Sequence, residues 1–206
     1  MVIRSVLFSL ATLLLCACSP SVGTPAYIAP EPGLIGNPRF ESKANKPNKI
    51  AEPWLTSQHA GVPSYEFSSL DGVLSIKRVD EQVWAHLAQR IDVSQLHGQT
   101  LEFSVELSGT LDQSHGEPLG PTGLGLTLRG KTPDQPRSMP NRAILFNQSS
   151  EPGMSVGAQD WQRQSLRFKV PTTEEARDVE AELYIVMTLG GELKARGPSL
   201  QVVETD

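Results

Sequence analysis

Four neighbouring side chains, Gln82, Trp84, His86 and Arg90, are of types that could together recognise a ligand. Alternate residues of an extended segment point to the same face, so the stretch VWAHLAQRI would place Trp84, His86 and Arg90 on one face. An indole face can stack on the C–H surface of a sugar ring, while polar groups hydrogen-bond its hydroxyls. The alternative is that Trp84 packs under a loop or against the N-terminal strand and binds nothing.

Side chains that could support catalysis do not form a recognisable constellation. Glu102 and Glu106 would lie about 13 Å apart along a strand, whereas a glycosidase needs two carboxyl groups roughly 5 to 10 Å apart. Glu180 and Glu182 would be about 7 Å apart, but their pattern indicates a solvated strand face. The sequence has no G-x-S-x-G elbow and no H-x-x-x-H, C-x-x-C or D-x-D-x-D-G motif. We therefore predict a protein that is not an enzyme.

The charge balance argues against a nucleic-acid partner. The formal net charge of the 206-residue chain is −5, and such a surface repels a phosphate backbone unless a basic stripe compensates. The densest basic cluster is KANKPNK, residues 43–49, where an intervening Pro and two Asn favour a solvated loop.

The N-terminal residues predict export and lipidation. A basic residue, Arg4, precedes a run of apolar residues that is shorter than the roughly 20 needed to span a bilayer. The run ends in LLLCACSPS, which resembles a bacterial lipobox. Cys18 follows a small residue and is the predicted lipidation site, whereas Cys16 follows Leu15. The alternative is an ordinary secretory signal that contains two Cys.

These features divide the chain into three predicted parts. Residues 1–17 form a lipoprotein signal peptide, and residues 18–33, rich in Pro and Gly, form a flexible linker that begins with the lipidated Cys18. Residues 34–206 form the folded domain. Because Cys16 and Cys18 are the only cysteines, this domain has no disulfide and must be stabilised by its core. By analogy with the bacterial lipoproteins whose lipobox this run resembles, Ser19 after Cys18 implies the outer membrane, and we expect the periplasmic face.

Period-two alternation of apolar residues predicts an all-β domain. Leu101, Phe103, Val105 and Leu107 alternate with polar residues in TLEFSVEL. The same pattern occurs in VLSIKRV, LGLTL, SLRFKV, LYIVMTL and SLQVV, and VWAHLAQRI fits a strand better than a helix. Eight to ten short strands without helical crossovers indicate an antiparallel β-sandwich. Long loops are predicted at residues 112–121, 131–141 and 147–160.

Several of these segments together resemble a known family. GNPRFES, an early Trp54, LAQRIDVSQLHGQTLEFSVEL, DWQRQSLRFKVP and GPSLQVVE follow an order similar to that of the galactose-binding-like jelly-roll domains, which include many carbohydrate-binding modules. The resemblance covers nearly all of residues 34–204. It implies a jelly-roll β-sandwich and a glycan ligand.

Two departures from the family pattern limit what it implies. Arg196, Gly197 and Pro198 stand where members often have acidic or amide residues, which argues against a structural calcium near Glu41. Sugar-binding members usually expose several aromatic side chains, whereas this chain has three Trp and three Tyr. We expect Trp54 and Trp161 to pack in the core or at an edge.

The sequence thus predicts an outer-membrane lipoprotein whose single domain binds a glycan or another envelope component without catalysis. Its partners would be the membrane, through the lipid on Cys18, and polysaccharide, peptidoglycan or envelope proteins. The alternative is a structural accessory subunit of an envelope or secretion assembly without a carbohydrate site. A third class is an enzyme whose site assembles from distant residues.

Overall fold

The computed structural model describes residue 27 and residues 31–59, 62–136, 138 and 141–204. The predicted signal peptide, residues 1–17, and the predicted lipidation site, Cys18, lie outside these residues. Within the described residues, no helix is long and apolar enough to cross a membrane.

The described residues form twelve strands and one short 3-10 helix. In chain order the strands are β1 (Ser42–Lys43), β2 (Lys46–Ile50), β3 (Leu55–Gln58), β4 (Tyr65–Leu70), β5 (Val73–Arg78), β6 (Ala85–Asp92), β7 (Thr100–Asp112), β8 (Gly123–Lys131), β9 (Ala143–Ser149), β10 (Gly157–Lys169), β11 (Arg177–Met187) and β12 (Gly190–Val203); the 3-10 helix is Ser94–Leu96.

Ten of the strands form two five-stranded antiparallel sheets that pack face to face. Sheet I has the order β10-β7-β12-β5-β4 and sheet II the order β3-β6-β11-β8-β9, while β1 and β2 pair separately. Strand pairing is nested, because β5 pairs with β12, β6 with β11, β7 with β10 and β8 with β9. Such nesting arises when one long hairpin of four strand pairs rolls into two sheets, which is a jelly roll. The predicted all-β, antiparallel jelly-roll β-sandwich is confirmed.

The core lies between the two sheets and follows the alternation seen in the sequence. Leu101, Phe103, Val105 and Leu107 of β7 are all buried there. On the facing sheet, Ala85, Leu87 and Gln89 of β6 point inward and are also buried. The polar residues between them therefore point to the two outer faces of the sandwich.

The structure differs from the sequence prediction at one edge. Residues 143–149, which the alternation did not indicate, form β9, and residues 147–160, predicted as one loop, include the end of β9 and the start of β10. β9 is an edge strand on which Ile144 is 61% and Phe146 40% exposed. Because an edge strand need not bury one whole face, it carries little period-two signal.

The predicted linker is attached to the domain before residue 34. The Leu200 amide donates to the carbonyl of Pro32 (3.1 Å), and the Leu34 amide donates to that of Leu200 (2.9 Å). The Ser199 hydroxyl donates to the carbonyl of Glu31 (2.6 Å). Residues 31–34 thus run along β12, next to the irregularity in its pairing between Arg196 and Ser199.

Candidate ligand-binding groove

Aromatic rings line part of the outer face of sheet II. Trp84 immediately precedes β6, and its indole stacks on the His86 ring with centroids 5.2 Å apart and planes 11° from parallel. The His86 ring lies 5.1 Å from that of Tyr184 on β11. The centroid of the His59 ring lies 6.1 Å from that of Trp84, and the two rings form a T-shaped pair. These four rings form a continuous row, which we call the aromatic row.

Small residues on either side of Tyr184 leave room beside its ring. In the strand register Tyr184 pairs with Ala88 on one side and with Gly125 on the other. A Cβ atom at Gly125 would approach Tyr184 Cδ2 to 3.1 Å, which is tighter than ordinary contact. The glycine therefore lets the tyrosine ring lie close to β8 without a side chain filling the space.

A groove of about 350 Å³ lies over this part of the sheet. Its apolar lining includes Trp84, Tyr184 and Leu119, the last from the loop between β7 and β8. Polar groups are contributed by Thr127 of β8 and by Asn147 and Ser149 of β9, among other lining residues. The Thr127 hydroxyl donates to Asn147 Oδ1 (3.2 Å), so these groups hold one another in place. Aromatic surface and fixed hydrogen-bonding groups thus share one open groove.

Glu182 is the central anchor of the polar part of this face. It is only 7% exposed, and its Oε1 accepts from Arg90 Nε (2.8 Å) and Nη2 (2.8 Å). Its Oε2 accepts from the Tyr184 hydroxyl (2.7 Å) and, more weakly, from Arg129 Nε (3.4 Å). Burial raises the pKa of Glu182, but the bonds from Tyr184 and Arg90 and the arginine charges outweigh it, so the pKa lies below its usual value.

A second depression, of about 550 Å³, continues the face beyond Glu182. It is lined by Arg90, Arg129, Asn141, Arg142 and Glu180. Arg142 Nη1 donates to Glu180 Oε2 (3.1 Å). We call this region the arginine end of the groove, because three guanidinium groups from β6, β8 and the segment before β9 meet there.

Burial lowers the pKa of His86 below its usual value, and the negative charge of Glu182 offsets only part of this effect. The imidazole is enclosed by the Trp84 and Tyr184 rings. At neutral pH it is therefore an uncharged member of the aromatic row, with one nitrogen that donates and one that accepts hydrogen bonds.

Three of the four predicted site residues share this outer face. Trp84 and His86 line the groove, and Arg90 lies at its arginine end. Gln82 is next to the aromatic row, and its Oε1 accepts from His59 Nδ1 (2.6 Å). It can orient His59 against Trp84, but it does not line the groove. Whether any of these residues binds a ligand stays a prediction.

Sequence reasoning missed the residues that β11, β8 and β9 bring to the groove. Tyr184 and Glu182 stand at outward positions of the alternating stretch DVEAELYIVM, so their face could have been predicted. Glu182 was instead expected on a solvated face, and it is buried in an ion-paired network. Thr127 and Asn147 become neighbours only through the pairing of β8 with β9.

The remaining aromatic and acidic candidates lie elsewhere. Trp54 is buried in the core, tilted against Phe40 with centroids 5.3 Å apart. Trp161 lies on β10, an edge strand of sheet I, and is 36% exposed. No group of three or more His, Cys, Asp or Glu that could hold a metal ion occurs in the part of the chain that the structure describes, including around Glu41.

Comparisons with known proteins return similarity at the level of structure. No protein-family model matches the chain, and no curated protein matches it significantly. A solved structure described as "CBM4 structure and function" has a TM-score of 0.49 and 16% identity, covering 82% of this chain and 99% of that chain. The CBM22-1 xylan-binding domain from Paenibacillus barcinonensis Xyn10C has a TM-score of 0.46 and 11% identity, covering 86% and 100%.

Proteins of other function are similar to a comparable degree. The cyclase Fisc from Fischerella sp. TAU has a TM-score of 0.44 and 11% identity, covering 75% of this chain and 86% of that chain. Carbohydrate-binding modules are thus among the structures that this chain resembles. At these identities and TM-scores the ligand has to be inferred from the groove itself.

Proposed function

We propose that this domain binds a carbohydrate chain in the groove on the outer face of sheet II and does so without catalysis. The observation that carries the proposal is the aromatic row of His59, Trp84, His86 and Tyr184 beside the fixed polar groups of β8 and β9. Sugar rings have apolar C–H faces and a polar rim of hydroxyls. A strip of rings next to oriented donors and acceptors complements both.

The carboxylates of this face support a binding role more than a hydrolytic one. Glu182 is held by Arg90, Arg129 and Tyr184, and Glu180 is paired with Arg142. A general acid needs a raised pKa so that it carries a proton at neutral pH, whereas the pKa of Glu182 is lowered. Ion-paired carboxylates of this kind position donors for a ligand.

The test is retention of the purified domain on a panel of immobilised polysaccharides and peptidoglycan. We expect wild type to be retained on at least one of them and Trp84→Ala to lose retention while its melting temperature changes little. Trp161→Ala, which removes a partly exposed tryptophan from sheet I, is the matched control and should be retained like wild type. No retention of wild type on any glycan, together with a large loss of stability in Trp84→Ala, would contradict the proposal.

We also propose that the domain is anchored to the outer membrane by lipid on Cys18, with the groove available to envelope glycans. The proposal rests on the lipobox-like run that ends at Cys18. Palmitate labelling followed by membrane fractionation tests it. Cys18→Ser should lose the label and leave the membrane fraction, whereas Cys16→Ser should keep both. Unchanged labelling of Cys18→Ser would refute the assignment.

A structural role in an envelope or secretion assembly is the second candidate, and one observation favours it. The edge strand β9 exposes Ile144 and Phe146, and an exposed edge with apolar side chains can pair with another chain. Cross-linking in intact cells with a photoreactive residue at position 144 tests this role. A discrete protein adduct, with no glycan retained by wild type, would support this candidate over the first.

A further inference from the structure

The arginine end of the groove carries many hydrogen-bond donors that no described residue of the protein accepts from. Arg90 engages Glu182 through Nε and Nη2, Arg129 through Nε alone, and Arg142 reaches Glu180 through Nη1. A guanidinium has five N–H groups. No partner among the described residues takes the remaining ones, and the Arg90 side chain is 55% exposed.

The carboxylates near these arginines do not present a matching set of acceptors to the groove. Glu182 is buried and its two oxygens are already bonded to Arg90, Arg129 and Tyr184. Glu180 also lines the depression, and its Oε2 accepts from Arg142 Nη1 (3.1 Å). Asp92, whose pKa is lowered chiefly by Ser94 and in part by Arg142, accepts from the backbone of Ser94. The three arginines and these three carboxylates carry equal and opposite formal charges. The polar groups that no described residue bonds, however, are mainly guanidinium N–H donors.

The aromatic row and the arginine end are close enough for one chain to reach both. Strand pairing lines up the outward residues of sheet II in sets that run across the strands. One set contains Ala88, Tyr184, Gly125 and Ser149, and the next contains Arg90, Glu182, Thr127 and Asn147. Successive sets lie about 7 Å apart along the strands. A polymer that stacks on the rings and follows the strands would meet the arginines within its next units.

We infer that the bound glycan is acidic and that a carboxylate on one of its units, of the uronic-acid or lactyl-ether type, is held by Arg90, Arg129 and Arg142. This inference rests on the proposed function. A guanidinium matches a carboxylate through two parallel N–H···O bonds. Arginines that are pre-oriented by Glu182 and Glu180 lose less side-chain freedom when such a group binds.

The test compares one acidic polysaccharide with its own neutral derivative. Polygalacturonate and an equivalent sample in which the carboxyl groups are reduced to primary alcohols differ only in that group. We expect wild type to bind the acidic polymer at least about tenfold more tightly, as hydrogen bonds between charged groups imply. Equal binding of both would overturn the acidic inference and leave the carbohydrate proposal intact. If neither these polymers nor any glycan of the panel is bound, both the acidic inference and the proposed function fail.

Variants separate carboxylate recognition from general attraction between charges. Arg142→Gln should lower affinity for polygalacturonate about tenfold and should lower affinity for the reduced polymer much less, because an alcohol accepts only a neutral hydrogen bond from the guanidinium. Arg163→Gln on sheet I makes the same charge change on the opposite face and should affect neither polymer. Polyglutamate, which carries carboxylates but no sugar, should not compete. Competition by polyglutamate, or equal losses in both variants, would reduce the effect to nonspecific electrostatics and overturn the inference.

Discussion

The outer faces of the two sheets contain the same kinds of residue in different arrangements. On sheet I, the Arg196 guanidinium lies 3.6 Å from the centre of the Tyr27 ring and 4.1 Å from that of Trp161. Its Nε and Nη2 donate to Glu106 Oε2, each at 2.8 Å. On sheet II, Trp84, His86 and Tyr184 pack against one another, and the arginines lie beyond them along the strands.

This difference shows that aromatic and arginine side chains on a sheet do not by themselves make a binding site. On sheet I both rings contact the same guanidinium, that of Arg196, and a segment that precedes the first strand supplies one of them. On sheet II the rings form a strip along an open groove, which the loop between β7 and β8 borders with Leu119. What distinguishes the two faces is which side chains remain available to another molecule.

The largest expected effect concerns the core that supports both faces. Phe103→Ala on β7 should lower the free energy of unfolding by roughly 3 to 5 kcal/mol, because it removes a fully buried ring and leaves a cavity. Thr110→Ala, at an exposed position of the same strand, should change it by no more than about 0.5 kcal/mol. Urea unfolding measures both. Similar values for the two variants would show that the register of β7 is wrong.

The next effect compares the central glutamates of the two faces. Glu182→Ala should lower the free energy of unfolding by about 1 to 3 kcal/mol, because a buried carboxylate that bonds two arginines and a tyrosine is lost. Glu106→Ala should lower the free energy of unfolding by less than about 1 kcal/mol, because its carboxylate, which pairs with Arg196, is more exposed than that of Glu182, at 24% against 9%. Guanidinium chloride unfolding gives both values. A larger loss for Glu106→Ala would reverse the ranking of the two faces.

A smaller effect is expected when the Tyr27 ring is removed from the outer face of sheet I. Tyr27→Ala deletes one of the two rings that contact Arg196 and should lower stability by about 0.5 to 1 kcal/mol, as for an exposed cation–π contact. It should leave glycan retention unchanged, because the groove is on the other sheet. Thermal unfolding and the retention assay are run together. Lost retention in Tyr27→Ala would place binding on sheet I.

The smallest effect should be a pH dependence due to His86. Its pKa is lowered in the fold by burial, so the unfolded chain takes up the proton first as the pH falls through about 6.5. Stability is then fully present above that pH and decreases below it. The melting temperature of wild type should therefore fall more between pH 7.5 and pH 5.5 than that of His86→Gln. Parallel curves for the two proteins would mean that His86 is not buried against its neighbours.

Local patterns in the sequence were sufficient for the fold class and for half of the groove. Alternation in TLEFSVEL and VWAHLAQRI predicted strands, and it placed Trp84, His86 and Arg90 on a common outward face because side chains of a strand alternate with a period of two residues. That period is a local property of the backbone, so it can be recognised without knowing which strands are neighbours. The N-terminal pattern that predicts export and lipidation is equally local.

The other half of the groove depends on which strands become neighbours. Tyr184 lies 98 positions after His86 in the sequence, yet β6 and β11 are paired, and Asn147 reaches Thr127 only through the pairing of β8 with β9. Whether an outward ring is covered is equally non-local, because Tyr27 covers Arg196 from a segment outside the sheets. The buried carboxylate of Glu182 is bonded by Arg90 of β6, Arg129 of β8 and Tyr184 of β11, which are far apart in the sequence. The sequence by itself determined which residues face outward, and only the tertiary structure decided which of them meet, because strand order and register are set by the packing of the whole core.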